Sequence, residues 1–288
     1  MRAASRPIVI ETIKGMREAI ANERSAARSV AFTPTLGALH EGHLSHVQRT
    51  AALADVRVVS IFVNPTQFGE GEDLAKYPRD LESDLQLLEP FGVAYVFAPS
   101  VAEMYPTGPT ETKVTAGKIG ALYEGAVRPG HFDGVLTVVA KLLDIVTPDI
   151  VTFGQKDAQQ LFLVRRMIDD LNLPVRVEII DTVREGDGLA LSSRNRFLDA
   201  KERRAARTLS TALEAAASSA DRGIDATLAA AQAVFMGEPL VKLDYFKIVQ
   251  PKSFVPVDDD YRGKAIAIVA ANFGGTRLID NEQLYLGG

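Results

Sequence analysis

Short runs of β-branched and aromatic residues alternate with longer stretches of helical periodicity over the first two thirds of the chain. In the longer stretches, apolar residues recur three and four positions apart, as on one face of a helix. This alternation is typical of parallel strands joined by right-handed crossover helices, and it predicts a doubly wound α/β sheet. The predicted strands are residues 30–33, 57–63, 94–97, 150–153 and 175–180, and the predicted helices are residues 44–54, 81–91, 135–146 and 158–171.

The pattern changes after about Thr182. Residues 202–235 are rich in alanine, with charges at helical spacing, and they predict two amphipathic helices. Three short strands are predicted after them, at residues 243–249, 265–270 and 277–280, as an antiparallel set. We therefore predict a Rossmann-like nucleotide-binding domain over residues 1–184 and a smaller α+β C-terminal domain over residues 185–288.

Composition narrows the class of protein. The 288 residues are 47% hydrophobic and 24% charged, which is typical of a soluble globular protein. No apolar run approaches the roughly 18 residues of a membrane span and no secretion signal is evident, so we expect a cytoplasmic protein without a membrane partner. The absence of cysteine excludes disulfides, thiolate metal sites and a cysteine nucleophile. A net charge of −5 without a basic stripe argues against nucleic acid as a partner.

The first predicted strand of the sheet runs directly into residues 34–43, a segment that contains two histidines and two glycines. In an open α/β sheet, ligands bind at the carboxyl ends of the strands, where a helix N-terminus offers free N–H groups to phosphate. We expect the next helix to begin at about His43, with Gly37 and Gly42 allowing a tight turn and close approach to a ligand.

Three interpretations fit His40 and His43 at this turn: helix capping, a metal site, or contact with a nucleotide. The chain has no thiolate and no His-Glu-x-x-His pattern to support a metal. A His-x-Gly-His turn after a strand resembles the nucleotidyltransferase superfamily, but four residues are a weak signal. His46 has no assigned role, and we expect it on the surface.

The second predicted strand ends within residues 60–68, where Pro65 removes a backbone N–H and stops the strand. Asn64 and Gln67 are thereby presented at the same edge of the sheet as the histidine turn. Asn64 is also a common turn residue, whereas the amide of Gln67 has little local structural use beside an aromatic residue. We interpret both as candidate substrate contacts.

Residues 153–160 again join a strand to a helix. Lys156 and Asp157 lie at the predicted helix start, and Gln160 follows one turn after Lys156 on the same face. Asp157 could be simply a helix cap. A cation at the positive end of a helix is unfavourable unless an anion lies nearby, so Lys156 indicates an anionic ligand.

Residues 187–196 are rich in hydrogen-bond donors, with Ser192, Ser193, Arg194 and Arg196 after a short apolar run. Such a segment is either a polar loop between domains or an anion clamp that could close over a triphosphate.

Residues 124–134 place Arg128 and His131 just before a predicted helix. These two residues fit a loop with a capped helix about as well as a pair of ligand contacts.

Together these segments resemble the pantoate–β-alanine ligase family, the pantothenate synthetases. The motifs occur in the family's order at residues 34–43, 62–68, 128–134, 154–160 and 191–196, and the resemblance runs from Ile10 to about Arg196. The final ninety residues match only loosely, at residues 244–245 and 275–280. It implies condensation of (R)-pantoate with β-alanine through a pantoyl-adenylate, with ATP and Mg²⁺, releasing pyrophosphate and AMP. It also implies a homodimer, each chain having a Rossmann-like domain and a smaller C-terminal domain. Because water hydrolyses an acyl-adenylate, we expect that smaller domain to act as a lid.

Carried over residue by residue, the resemblance implies an ATP site. His43 takes the position of the catalytic acid, and His40, Lys156 and Arg194 assist at the triphosphate. The implied ATP-binding residues are Leu36, Gly37, Ala38, Leu39, His40, Glu41, Gly42, His43, Gly154, Gln155, Lys156, Asp157, Val183, Leu191, Ser192, Ser193 and Arg194.

The resemblance also implies substrate contacts. Gln67 and Gln160 hold pantoate, Gln67 lies near β-alanine as well, and Asn64 and Arg128 are further substrate-binding candidates. The metal ligands are not indicated. The chain departs from the common family pattern at Leu36, Gln155 and Ala158, where methionine, glutamate and an aromatic residue are common, and none of these changes removes a charge that the chemistry needs.

Two alternative functions would use the same residues. A nucleotidyltransferase that acts on another small acid or phosphate predicts the histidine turn but not the pair Gln67 and Gln160. A non-catalytic ATP-binding regulator should have lost cations such as Lys156 or Arg194, and both are present.

Overall fold

The computed structural model describes residues 6–69, 73–75, 77–108 and 110–287. The chain forms two compact units. The first unit extends to Gly154 and includes Leu163–Ile180, and the second contains Gln155–Phe162 and the chain from Asp181 onward. A domain boundary near residue 184 stays a prediction. None of the helices in the described ranges is long and apolar enough to cross a membrane.

The first unit is built on a six-stranded sheet in the order β1-β4-β3-β2-β5-β6, and its neighbouring strands are parallel. The predicted doubly wound fold is confirmed. The strands are β1 Ile8–Ile10, β2 Val30–Thr35, β3 Val56–Ile61, β4 Tyr95–Phe97, β5 Ile150–Gly154 and β6 Arg176–Ile180. The central strands are continuous apolar runs because a parallel sheet is covered by helices on both faces.

The strand order reverses at β2. From this strand, β3 and β4 extend the sheet to one side, while β5 and β6 extend it to the other. In a doubly wound sheet, such a switch point is where the chain opens a crevice for a ligand. The carboxyl end of β2 and that of β5 therefore border the predicted binding crevice, in agreement with the motifs that follow them.

The helices that accompany these strands are α1 Ile13–Ser25, α2 Glu41–Thr50, α3 Leu81–Leu88, α4 Val101–Met104, α5 Glu124–Val127, α6 His131–Val146 and α7 Ala158–Asp170. Helix α6 is buried along most of its length, and α3 contributes Leu85 and Leu88 to a core cluster with Val59 and Val96 of the sheet. Strand β1 and helices α1, α4 and α5 were not predicted.

The second unit combines helices with an antiparallel sheet in the order β7-β8-β9. Its core packs alanines such as Ala212 and Ala216 against larger residues such as Leu213 and Phe273, so the alanine-rich stretch forms close helix contacts. Two helices were predicted here, but the first divides at Arg207 and the stretch forms three. The elements are α8 Ala200–Ala206, α9 Thr208–Ala217, α10 Ile224–Met236, β7 Lys242–Val249, β8 Gly263–Phe273 and β9 Thr276–Leu286.

Candidate active site

One buried carboxylate holds the loop that follows β2. Gly37 and Ala38 have positive φ angles of 87° and 52°. Asp84 on α3, only 3% exposed, accepts the N–H of Ala38 at 3.0 Å and that of Leu39 at 2.7 Å. Burial raises the pKa of the Asp84 carboxyl above its ordinary value, although the two N–H groups act in the opposite direction. The loop therefore presents a fixed backbone.

Asp84 was missed by the sequence reasoning. It shares the apolar stripe of α3 with Leu85 and Leu88, and a carboxylate at such a position is the signal that could have identified it. A buried carboxylate must find hydrogen-bond donors, and here the donors are backbone N–H groups 45 and 46 residues earlier in the chain.

His40 and His43 both lie at the N-terminus of α2. The helix begins at Glu41, two residues before the predicted start, and His40 is its cap residue. The Nδ1 atom of His40 accepts the N–H of Gly42 at 3.1 Å, so a neutral His40 carries its proton on Nε2. The two imidazole rings lie 4.1 Å apart between their centroids. Capping, one of the three interpretations of this turn, thus applies to His40, while both rings stand where a helix end favours an anion.

The prediction that His46 is a surface residue is wrong. The side chain is half-buried, and Nδ1 lies 3.1 Å from the hydroxyl of Thr152 on β5. Thr152 in turn lies 3.0 Å from the hydroxyl of Thr33 on β2. The contact with Thr152 places His46 on the side of α2 that faces the sheet. The hydroxyls of Thr152 and Thr33 link the two strands at the switch point.

Asn64 organises the turn after β3. It is fully buried, and its oxygen accepts the hydroxyls of Tyr105 at 2.7 Å and Thr66 at 2.9 Å. Its Nδ2 atom donates to the Gln67 side-chain oxygen at 3.0 Å and to the Gly134 carbonyl at 3.2 Å. Since both Nδ2 protons have protein acceptors, the geometry gives Asn64 a structural role in orienting Gln67. Direct contact between Asn64 and a substrate stays a prediction.

Gln67, Arg128 and His131 meet in the first unit. His131, 8% exposed, places Nδ1 2.8 Å from the Gln67 backbone carbonyl, and Arg128 Nη1 lies 3.0 Å from His131 Nε2. A guanidinium can only donate, so Nε2 accepts and Nδ1 carries the proton: His131 is a neutral imidazole. Helix α6 begins at His131, four residues before the predicted start. The pair Arg128 and His131, which the sequence left open, is thus bound to the Gln67 turn.

In the second unit, residues 155–157 lead into helix α7. Lys156 is half-buried, Asp157 is exposed and Gln160 is half-buried. The side chain of Asn281 on β9 donates to the backbone carbonyls of Gln155 at 2.9 Å and Lys156 at 2.8 Å. Asn281 lies outside every predicted motif, and no local pattern marks it, because its partners are 125 and 126 residues away in the sequence.

The predicted anion clamp follows a small hairpin. The Leu191 N–H donates to the Val183 carbonyl at 2.9 Å, and Arg184 and Ala190 form an antiparallel bridge. A short 3₁₀ helix then covers Ser193–Phe197, and the Ser192 hydroxyl caps it by accepting the N–H of Arg194 at 3.2 Å. The Arg194 side chain is exposed, whereas Ser192 and Ser193 are half-buried.

Asn195 anchors this clamp. It is buried, and its Nδ2 atom donates to the Glu185 carboxylate at 2.7 Å and to the Ala190 carbonyl at 3.1 Å. Arg203 on α8 binds the same carboxylate at 2.6 Å. The hydrogen bond from Arg203 lowers the pKa of Glu185 below its ordinary value, so this glutamate is ionised at neutral pH. The backbone of the clamp is therefore fixed while its arginine stays accessible.

The described residues contain no cluster of three or more histidine or carboxylate side chains that could hold a metal ion by themselves. Mg²⁺ in nucleotide sites is usually bound by one or two carboxylates together with the phosphates of the substrate and water. The side chains present are compatible with a Mg²⁺ that arrives with ATP.

A doubly wound parallel sheet, with a fixed loop and a histidine-capped helix at its switch point, defines a nucleotide-binding α/β protein. Comparison with known proteins gives the family. The family model for pantoate–β-alanine ligase matches residues 8–283. The chain therefore belongs to the pantoate–β-alanine ligase family.

Individual relatives agree with this family. The pantothenate synthetase of Leifsonia xyli is 56% identical over 92% of each chain. The crystal structure of pantothenate synthetase from Thermus thermophilus has a TM-score of 0.89 at 46% identity and covers 96% of this chain and 98% of its own. The pantoate–β-alanine ligase of Francisella tularensis, complexed with β-γ ATP and β-alanine, has a TM-score of 0.77 at 32% identity and covers 96% and 97%.

Proposed function

We propose that this chain is an ATP-dependent ligase of pantothenate biosynthesis that joins (R)-pantoate to β-alanine through a pantoyl-adenylate. The observation that carries the proposal is the family match over residues 8–283, which includes all the candidate site segments. The Francisella tularensis relative, a complex with β-γ ATP and β-alanine, supports ATP as a substrate.

We assign ATP to three backbone segments and the side chains on them. The first is residues 36–43, whose N–H groups and helix N-terminus suit phosphate. The other two are residues 154–157 and residues 191–194 with Val183. The Ser192 hydroxyl is positioned by the 3₁₀ turn that it caps, and Ser193 is half-buried at the start of that turn. The exposed guanidinium of Arg194 is free to reach an anion.

The first half-reaction needs no general base, because the pantoate carboxylate is already ionised at neutral pH. One of its oxygens bonds to the α-phosphorus of ATP while the bond to the pyrophosphate oxygen breaks. The obstacle is repulsion between anions, which Lys156, Arg194 and the N-terminus of α2 offset. Donors of this kind typically contribute about 10²- to 10³-fold each. His43 donates to the leaving pyrophosphate oxygen, and His40, whose Nε2 carries a proton, contacts the triphosphate.

In the second half-reaction the amine of β-alanine attacks the acyl carbon, the bond to AMP breaks, and the amine releases a proton to solvent. AMP is a good leaving group, so positioning dominates this step. We assign Gln67 and Gln160 to pantoate. The Gln67 side-chain oxygen is held by Asn64, which leaves its NH₂ group to donate to a substrate oxygen. A buried amide left unpaired by a deoxy analogue gives specificity for the hydroxyls of pantoate.

Three finer assignments belong to this proposal. Mg²⁺ bound with ATP supplies charge neutralisation at the phosphates. The oligomer is a homodimer, and the location is the cytoplasm. Family resemblance supports the metal and the homodimer, and the cysteine-free composition agrees with a cytoplasmic location.

An assay with ATP, pantoate and β-alanine tests the function. We expect AMP formation that requires both organic substrates. With β-alanine omitted, we expect exchange of labelled pyrophosphate into ATP that depends on pantoate, because the adenylate forms reversibly. Exchange that proceeds equally well without pantoate would contradict the proposal and favour a nucleotidyltransferase acting on another acid.

A further inference from the structure

Asn281 and its neighbour Asp280 lie on β9, and both are buried, with exposures of 4% and 3%. A buried amide and a buried carboxylate in the middle of a strand are costly unless each polar atom has a partner. Here the partners of Asn281 belong to a segment assigned to ATP above, whereas the partner of Asp280 is Arg184, which follows Val183. All of these residues lie in the second unit.

The side chain of Asn281 fixes the backbone on both sides of Lys156. Its two Nδ2 protons bind the carbonyls of Gln155 and Lys156, at 2.9 and 2.8 Å. The first carbonyl belongs to the peptide before the Lys156 Cα atom and the second to the peptide after it. Its Oδ1 atom accepts the side-chain amide of Gln155 at 3.1 Å, so the oxygen and both N–H groups of the side chain bind this segment.

Asp280 fixes the hairpin that leads into the anion clamp. Its two oxygens accept a bidentate pair of bonds from Arg184, at 2.6 and 3.2 Å, and one of them also accepts the Asn281 N–H at 2.8 Å. Arg184 lies beside Val183, whose carbonyl binds Leu191 at the start of the clamp. A bidentate guanidinium–carboxylate pair sets an orientation as well as a distance.

From these contacts we infer that Asn281 is a positioning residue for adenylation: it holds the Lys156 backbone so that the ammonium group meets the phosphates, while Asp280 orients the hairpin of the clamp. This inference rests on the phosphate role proposed above for Lys156. The ammonium group of Lys156 offsets the negative charge of the phosphates, and this charge is the main obstacle to adenylation. Amine attack on the acyl carbon depends instead on how the substrates are positioned. Loss of Asn281 is therefore expected to affect the two half-reactions unequally.

The test compares Asn281→Ala and Asn281→Asp with the control Asn272→Ala. Aspartate keeps the shape of the side chain but has no N–H to donate. Asn272 lies on β8 of the same sheet and donates to Asp244 at 3.1 Å, outside the ATP segments. We expect both Asn281 variants to lose pantoate-dependent pyrophosphate exchange by about 10²-fold. Reaction of supplied pantoyl-adenylate with β-alanine should stay within about threefold, and Asn272→Ala should change neither rate beyond that.

The ratio of the two half-reactions, measured on one preparation, does not depend on the folded fraction, so a partly unfolded variant still gives an answer. Equal losses in both half-reactions would overturn the inference, because they indicate a general structural defect.

A double-mutant cycle with Lys156→Ala separates this inference from the proposed function. If Asn281 acts through Lys156, Asn281→Ala should add less than about threefold to the loss already caused by Lys156→Ala. Fully additive losses would overturn the positioning role alone. If Lys156→Ala leaves exchange unchanged, the phosphate role of Lys156 fails, and the inference fails with it.

Discussion

His40 and His43 differ in what their side chains do for helix α2. His40 is the cap residue and accepts the Gly42 N–H, whereas His43 lies inside the first turn. Loss of a cap typically costs about 1 kcal/mol. The two histidines of one motif should therefore respond differently when each is removed.

We expect His43→Ala to keep its thermal stability and to lose adenylation by about 10²-fold or more, because a donor to the leaving pyrophosphate is gone. His40→Ala should lose activity and also lower the free energy of unfolding by about 1 kcal/mol. Pyrophosphate exchange and thermal unfolding measure the two effects. Adenylation within about threefold of wild type in His43→Ala would disprove the role given to His43.

Side chains that lie next to their motif were predictable from the sequence, and side chains that support a motif from a distance were not. Gln67 and Lys156 were identified as site candidates because ligands bind at the carboxyl ends of the strands in an open α/β sheet, and strand ends can be predicted from local patterns. Asp84 reaches the loop before α2 across 45 residues of sequence, and Asn281 reaches the Lys156 segment across 126. No local sequence pattern marks either pairing, and each becomes evident only once the fold is known. The ligand contacts of all the candidate residues remain predictions.

At the scale of elements, the loop between β2 and α2 depends on Gly37. A Cβ atom at this position would lie 3.0 Å from Ile61 Cγ2 and 3.1 Å from the Asp84 carboxylate, in addition to the strain of a φ of +87°. Gly108 has nearly the same φ, +86°, but no atom of the described residues lies within 4 Å of an added Cβ. A comparison of alanine variants at the two glycines therefore separates the cost of a positive φ from the cost of contact with Asp84.

We expect Gly37→Ala and Gly108→Ala to share a loss of roughly 1 kcal/mol from the positive φ. Gly37→Ala should lose at least about 1 kcal/mol more because a packed neighbour must move, and its exchange activity should fall as the Asp84 contacts shift. Denaturant unfolding of both variants measures the difference. Equal losses of stability in the two variants would show that Asp84 and Ile61 can move away from the added methyl group without a further loss of unfolding free energy.

The element boundaries show which local signals are reliable. Strands β2, β3 and β5 were predicted to within two residues because buried parallel strands are nearly continuous apolar runs. The starts of α2 and α6 were placed too late, since their caps are His40 and the left-handed Gly130 instead of serine, threonine or aspartate. Strand β1 was missed because a three-residue edge strand is too short for a periodic pattern.

At the scale of the whole molecule, the proposed homodimer makes a direct prediction. Light scattering after size exclusion should give twice the chain mass of 31.1 kDa. A mass equal to that of one chain at micromolar concentration would disprove the homodimer.

The strand order of the first unit also determines when each strand can pair during synthesis on the ribosome. Strand β1 pairs with β4 and not with β2, and Tyr95 leaves the ribosome 87 residues after its partner Ile8. At about 5–20 residues per second, β4 becomes available to pair with β1 roughly 4–17 seconds after β1 is made. Strands β2 and β3 can pair well before that time, so the nascent sheet starts from its interior, and β1 completes one edge after β4 has joined.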